Sequence, residues 1–205
     1  MTIKTFNINT DKTAFVRAYL PDSIAGLPFC EKRPAVLIFP GGGYEYCSDR
    51  EGEPIALQYL ALGYAAFVVT YSCNERFPEP LMDAAYIFYK IRMRAEEFKI
   101  DPQKMAVLGC SAGGHLAGCL ATMWSDIALT KTIGCEPEDL RPNAAILCYP
   151  VISGVTAPHE GSFKVLLGED ASRSDLSRLS LENRVTPKTP PVFIWATAND
   201  DCVSA

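Results

Sequence analysis

The pentapeptide Gly109-Cys110-Ser111-Ala112-Gly113 is the part of this sequence best suited to do chemistry. It has the G-x-S-x-G form and sits between an apolar run ending at Leu108 and a helix-forming stretch, Ala112–Met123. On such a strand–turn–helix corner a serine is held in a strained backbone that lifts its hydroxyl above the sheet. The flanking glycines let neighbouring backbone come close, and the start of the next helix favours the negative charge that develops during acyl transfer. Ser111 is therefore the expected nucleophile. Standing alone, the same pattern reads as a Ser/Gly helix cap with no chemistry.

A second motif, Pro40-Gly41-Gly42-Gly43-Tyr44, follows the apolar run Ala35–Phe39. It lacks the Lys-Ser/Thr of a P-loop and the spacing of a dinucleotide fingerprint, which argues against a phosphate cradle. Its place after an early strand suits an oxyanion loop, where bare N–H groups must approach substrate without Cβ obstruction. Gly42 and Gly43, with the N–H of Ala112, are expected to hold a tetrahedral oxyanion; losing one such donor typically costs about 3 kcal/mol in the barrier. Tyr44 adjoins this loop and is expected to line the acyl pocket. The other tyrosines read as packing or pocket walls.

Positioning these groups takes a particular scaffold. Ala35–Phe39, Tyr64–Tyr71, Met105–Gly109, Ala144–Tyr149 and Val192–Ala196 are unbroken apolar runs, as in strands buried on both faces of a parallel sheet. Residues 3–9 and 13–19 alternate weakly and predict a leading antiparallel hairpin turning at Asp11-Lys12. Ser48 and Glu51 read as a capping box for a helix that has Pro54 early, turns Ile55, Tyr59 and Leu60 to the core, and stops at Gly63. From about Pro80 to Phe98, the spacing of Leu81, Ala85, Phe88, Ile91, Ala95 and Phe98 gives one buried helical face. Asp101-Pro102 then reads as a break. The alternation predicts a single α/β domain over 1–205: a doubly wound, mostly parallel sheet with a leading hairpin. The stretch 152–191 is an excursion that can contribute to a lid.

Composition narrows the function. The net charge is −5, leaving no Lys/Arg surplus to neutralise nucleic-acid phosphates or an anionic membrane surface. No apolar run approaches a bilayer span, and Met1–Thr10 lacks an apolar signal centre, so a cytoplasmic address is the default expectation. Of eight cysteines (30, 47, 73, 110, 119, 135, 148 and 202), none forms a Cys-x-x-Cys pair, and the two histidines are not at metal-ligand spacing from them. Free structural thiols are expected, with no metal and no cofactor. Glu136, Glu138 and Asp139 read as a solvated acidic loop. The residues leave the oligomeric state open, a homo-oligomer included.

Four stretches carry a family resemblance: Phe39-Pro-Gly-Gly-Gly-Tyr44, Arg50-Glu-Gly-Glu-Pro54, Gly109-Cys-Ser-Ala-Gly-Gly-His-Leu-Ala117 and Pro190-Pro-Val-Phe-Ile-Trp-Ala-Thr-Ala-Asn-Asp-Asp201. Together they resemble the acetyl esterase/lipase group of the α/β-hydrolases, related to hormone-sensitive lipase, and within it bacterial carbohydrate and xylan esterases. The likeness runs from about residue 10 to the last. Pro40 stands where many members carry His, and the sugar-esterase-like members resemble this chain there.

The resemblance implies a Ser–Asp–His order. Asp200 fits the register of the family's acid, three residues before Val203, with Asp201 the runner-up; an Asx turn is the bland alternative. His115, one turn beyond Ser111, matches a position the family commonly fills with a structural histidine. His159 resembles a non-triad residue. The base of the family follows the acid beyond one more helix and strand, so the catalytic histidine, with the last strand and helix, is expected beyond Ala205, and the fragment alone is expected to be inactive. The activity implied is removal of short acyl groups, acetyl above all, from sugars or small alcohols. An arylformamidase or small peptidase, or a hydrolase-like binding domain without catalysis, are the competing readings.

Overall fold

The computed structural model describes residues 1–7, 14–23 and 32–203. Strands β1 (Thr2–Asn7) and β2 (Phe15–Leu20) form the expected antiparallel hairpin, with Thr2 opposite Leu20 and Asn7 opposite Phe15. The turn read at Asp11-Lys12 lies outside the described residues. β3 (Arg33–Phe39), β4 (Ala65–Thr70), β5 (Ile100–Cys110), β6 (Ala144–Cys148) and β7 (Val192–Trp195) follow. The seven strands lie in the order β1-β2-β4-β3-β5-β6-β7, antiparallel through β4 and parallel from there on.

The apolar runs are continuous because the middle strands are covered on both faces. In β3, Ala35, Leu37 and Phe39 join one buried cluster while Val36 and Ile38 join the other. Each Leu, Ile or Phe so buried contributes about 1.5–3 kcal/mol. Helix α1 (Glu53–Ala61) covers one face with Ala56, Ile55, Tyr59 and Leu60. Helices α2 (Glu79–Met93), α3 (Ala95–Phe98) and α4 (Ser111–Met123) cover the other. The face read from the 3.6-residue period, Leu81, Ala85, Phe88, Ile91, Ala95 and Phe98, is buried throughout, although Arg94 divides the helix in two. Short helices α5 (Ile127–Ile133) and α6 (Pro137–Leu140) lead into β6, with Glu136 and Asp139 forming a capping box around α6. The 152–191 excursion holds α7 (Glu160–Leu167) and α8 (Arg173–Leu179), whose Phe163, Leu166 and Leu179 pack into the larger cluster.

Two local expectations are corrected. Ser48 makes no side-chain cap; a short 3-10 turn, Asp49–Glu51, follows it and Gly52 caps α1. The Glu51 carboxylate is engaged by partners distant in sequence and is unavailable for a local box. Asp101-Pro102 does not interrupt the chain before the strand. β5 starts at Ile100, opposite Arg33, and the shift in its pairing with β3 between Arg33 and Ala35 absorbs the proline.

Candidate active site

β5 ends at Cys110 and α4 begins at Ser111, which adopts φ +52°. A non-glycine residue in this left-handed region costs on the order of 1–3 kcal/mol and persists where packing over-determines it. The packing here is unusually close. A Cβ on Gly109 would lie 2.0 Å from the Gly113 carbonyl oxygen, and one on Gly113 would lie 2.1 Å from that of Phe39. The glycines flanking Ser111 thus let α4 sit directly on the ends of β5 and β3. The Ser111 carbonyl accepts from the Val151 N–H at 3.1 Å, tying the corner to the chain beyond β6.

The glycine loop meets this corner. Gly42 has φ +129° and Gly43 φ +65°. The Gly42 carbonyl turns back to accept from the N–H groups of Glu45 and Tyr46, and the Gly41 carbonyl accepts from Ser48. Among the described residues, no acceptor is bonded to the Gly42 or Gly43 amide. Ser111, Gly42, Gly43 and Asp200 line one cavity of about 480 Å³. Ala112, the third expected donor, is the second residue of α4 and is buried. A larger hollow of about 920 Å³ opens beside α1, and neither Ser111 nor Asp200 lines it.

Asp200 lies in the loop after β7. Its Oδ1 accepts from the N–H of Val203 at 2.8 Å and of Cys202 at 2.9 Å, and these two bonds hold its carboxyl below the usual carboxylate range. The bland and the chemical readings therefore meet in one residue: the Asx turn exists, and the carboxylate still borders the cavity. Asp201 is exposed and does not line that cavity.

Tyr44 corrects an expectation. Its ring is buried to 1% exposure, at φ +67°, and its hydroxyl is bonded at 2.7 Å to His115 Nδ1 instead of facing the cavity. The tyrosine that lines the cavity from this loop is Tyr46. His115 is pinned at both nitrogens, since Nε2 lies 2.8 Å from the Leu179 carbonyl oxygen. That oxygen can only accept, so Nε2 carries the proton and Nδ1 accepts from Tyr44. Burial pushes the imidazole down to about 4, and the ring is neutral.

His159 caps α7 and borders the cavity. Its Nδ1 accepts from the Ser162 N–H at 3.3 Å and contacts the Ser162 hydroxyl at 2.9 Å. In the neutral ring this leaves the proton on Nε2, the opposite of the tautomer a base oriented by a carboxylate needs.

Glu51 as a cavity residue, and its link to Tyr149, which the sequence read only as packing or a pocket wall, escaped the sequence reading. Glu51 Oε2 accepts from the Gly41 N–H at 2.7 Å, and Oε1 accepts from the Tyr149 hydroxyl at 3.0 Å. Burial raises the Tyr149 phenol above its usual range, and the nearby Cys110 and Glu51 add to the effect. The partners are 10 and 98 residues from Glu51, so no local pattern reveals them. The available signal was the Arg50–Pro54 stretch itself.

Among the described residues, no group of three or more His, Cys, Asp or Glu side chains is arranged to hold a metal ion. Cys47, Cys73, Cys110, Cys119, Cys135, Cys148 and Cys202 are free thiols, with Cys110, Cys119 and Cys148 buried as the sequence suggests; Cys30 lies outside the described residues. No helix among the described residues is long and apolar enough to cross a membrane.

A family model described as BD-FAE matches residues 27–205. The chain is 37% identical over 179 residues to endo-1,4-beta-xylanase B of Butyrivibrio fibrisolvens, covering 84% of this chain and 28% of that protein. It is 32% identical over 206 residues to an acetylxylan esterase of Xylanibacter ruminicola, covering 96% of this chain and 38% of that protein. The chain thus spans about a third of the length of these curated relatives. Among solved structures, an acetyl ester-xyloside bifunctional hydrolase from Caldicellulosiruptor lactoaceticus superposes with TM-score 0.84 at 33% identity, over 98% of this chain and 76% of that one. A carboxylesterase from Lactobacillus plantarum does so with TM-score 0.81 at 27% identity, over 100% and 74%.

Proposed function

The chain belongs to the BD-FAE family of α/β-hydrolases, and from that premise and the geometry of its cavity we propose that it is a serine ester hydrolase removing short acyl groups, acetyl foremost, from sugars or small alcohols. The observation that carries this reading is Ser111 at φ +52° at the head of α4, in one cavity with Gly42, Gly43 and Asp200. The alcohol half is inferred from relatives: one is an acetylxylan esterase and another an acetyl ester-xyloside hydrolase.

In the proposed reaction the Ser111 hydroxyl attacks the ester carbonyl and passes its proton to a histidine. The carbonyl oxygen becomes an oxyanion held by the N–H groups of Gly42, Gly43 and Ala112. Collapse expels the alcohol, which takes the proton back, and leaves an acyl-Ser111. Water, deprotonated by the same histidine, then releases the carboxylic acid. Asp200 orients that histidine and stabilises its charged form. His115 is locked by Tyr44 and Leu179, and His159 offers the wrong nitrogen. The base is accordingly assigned to a histidine other than these two, which are the two histidines of this sequence. No cofactor takes part.

The test is hydrolysis of p-nitrophenyl acetate by the full-length protein, the segment that supplies the histidine included, and by its Ser111→Ala variant. Removal of the nucleophile is expected to lower kcat by about a millionfold. Equal turnover by the two proteins removes the reading.

A further inference from the structure

Glu51 joins three parts of the cavity wall that are far apart in sequence. Its two carboxylate oxygens are divided between the Gly41 N–H and the Tyr149 hydroxyl. Gly41 leads the glycine triplet and abuts the nucleophile. A Cβ placed on it would lie 2.7 Å from Glu51 Oε2, 2.8 Å from the Cys110 carbonyl oxygen and 2.9 Å from Ser111 Cβ. The carboxylate and the serine side chain therefore crowd the same side of Gly41. The Gly41 carbonyl is held in turn by the Ser48 N–H at 2.9 Å, so the peptide planes on both sides of this residue are fixed.

The other arm reaches a second strained position. Tyr149, just past β6, has φ +36°, a sparsely populated region for a bulky side chain. Its N–H donates to the Trp195 carbonyl at 2.6 Å, and its ring stands edge-on to the Trp195 indole. Strain of this kind persists only where surrounding contacts over-determine it, and the hydroxyl bond to Glu51 is one such contact.

We propose that Glu51 is a positioning residue for this site: an anionic brace that fixes Gly41 and Tyr149 so that the Gly42 and Gly43 amides face the oxyanion formed at Ser111. The proposal deepens, and rests on, the serine-hydrolase reading. Glu51 does not touch the reacting atoms. It acts through Gly41, whose N–H donates to it in a charge-assisted bond, a class shorter and about twice as strong as its neutral counterpart. A carboxylate near a developing oxyanion also repels it, so geometry and charge oppose each other. Glu51→Gln separates them, because it keeps an acceptor for Gly41 and removes the charge.

The experiment compares wild type, Glu51→Ala, Glu51→Gln and Ser111→Ala in the full-length protein, the segment that supplies the histidine included. It measures p-nitrophenyl acetate kinetics, inhibition by an alkylboronic acid that forms a tetrahedral serine adduct, and the Gly41 amide proton resonance of the 15N-labelled protein. Glu51→Ala is expected to lower kcat by about 100-fold, the scale of losing one oxyanion donor, and to weaken boronate inhibition in parallel. KM should stay within about 3-fold, because ground-state binding is not the step affected. Gln should restore at least about 10-fold of the loss, since the neutral bond retains roughly half the strength. The Gly41 amide proton, far downfield in wild type, should move upfield in both variants.

A folded Glu51→Ala protein with wild-type kcat and boronate affinity overturns the proposal. If the Ala variant does not fold, Glu51→Gln decides: an unmoved Gly41 resonance overturns the brace, and a moved one supports it. Wild-type turnover by Ser111→Ala would instead bring down the underlying hydrolase reading, while the Gly41 resonance would still report separately on the brace.

Discussion

The two halves of the cavity are built in opposite ways. On the Ser111 side, geometry is imposed from outside the local chain: Gly109 and Gly113 admit backbone at distances no side chain tolerates, and α4 is buried along nearly its whole length. On the Asp200 side, geometry is local. Asp200 is held by its own turn, and among the described residues β7, which delivers it, pairs with β6 alone. The contrast teaches where precision is needed. In the proposed reaction, oxyanion donors and a nucleophile must be rigid before substrate arrives, since reorganisation at the moment of reaction erodes their benefit. A carboxylate that orients a histidine needs only a defined direction, and two backbone N–H groups supply that.

Asp200→Asn breaks this comparison most sharply. The amide oxygen can still accept from Val203 and Cys202, so the turn and the fold should survive. In the proposed reaction the charge that sets the histidine tautomer is lost, and a comparable change in a serine triad lowers kcat by about 10⁴-fold. The measurement is p-nitrophenyl acetate turnover by the full-length protein, the segment that supplies the histidine included, with thermal unfolding as the control for folding. Retained activity would leave Asp200 with its turn alone and transfer attention to Asp201.

The rigid half also has a pH signature. His115 titrates near 6.5 when unfolded and is pushed down to about 4 by burial in the native protein. A depressed histidine disfavours the charged form in the folded state. Its contribution is therefore complete above pH 6.5 and shrinks as pH falls from there toward 4, as the unfolded chain takes up the proton first. The total is about 3 kcal/mol. Urea unfolding at pH 7.5, 6 and 5 should show about 2 kcal/mol of this loss in wild type by pH 5. In His115→Gln, which is less stable throughout, the slope across that window should be smaller by the same amount. Parallel pH dependence in the two proteins would contradict the buried, neutral ring.

What the sequence disclosed follows the same division. The strand–helix corner that carries Ser111, the turn of the glycine loop and the buried strand runs were legible because their signals are local: a turn motif between an apolar run and a helix, glycines where side chains cannot fit, and periodicity in α2. The errors came where a residue answers to distant partners. Glu51 has the spacing of a capping box with Ser48, yet its carboxylate goes to Gly41 and Tyr149. Tyr44 adjoins the glycine loop, yet its positive φ turns the ring inward to His115. Asp101-Pro102 reads as a stop because proline cannot donate to a ladder, and only the irregular pairing with β3 shows how β5 carries it.

Phe193→Ser probes the loosely built half and should have the smallest effect. The side chain is 63% exposed, and among the described residues β7 pairs with β6 alone. Substitutions at such positions usually change stability by less than about 0.5 kcal/mol, against the several kcal/mol that truncating a buried aromatic removes. The urea midpoint of this chain should therefore be almost unmoved. A loss above about 2 kcal/mol, the scale of a buried apolar side chain, would show that the outer face of β7 is covered in solution. The acid loop would then be braced from outside, like the nucleophile corner, and the contrast between the two halves would disappear.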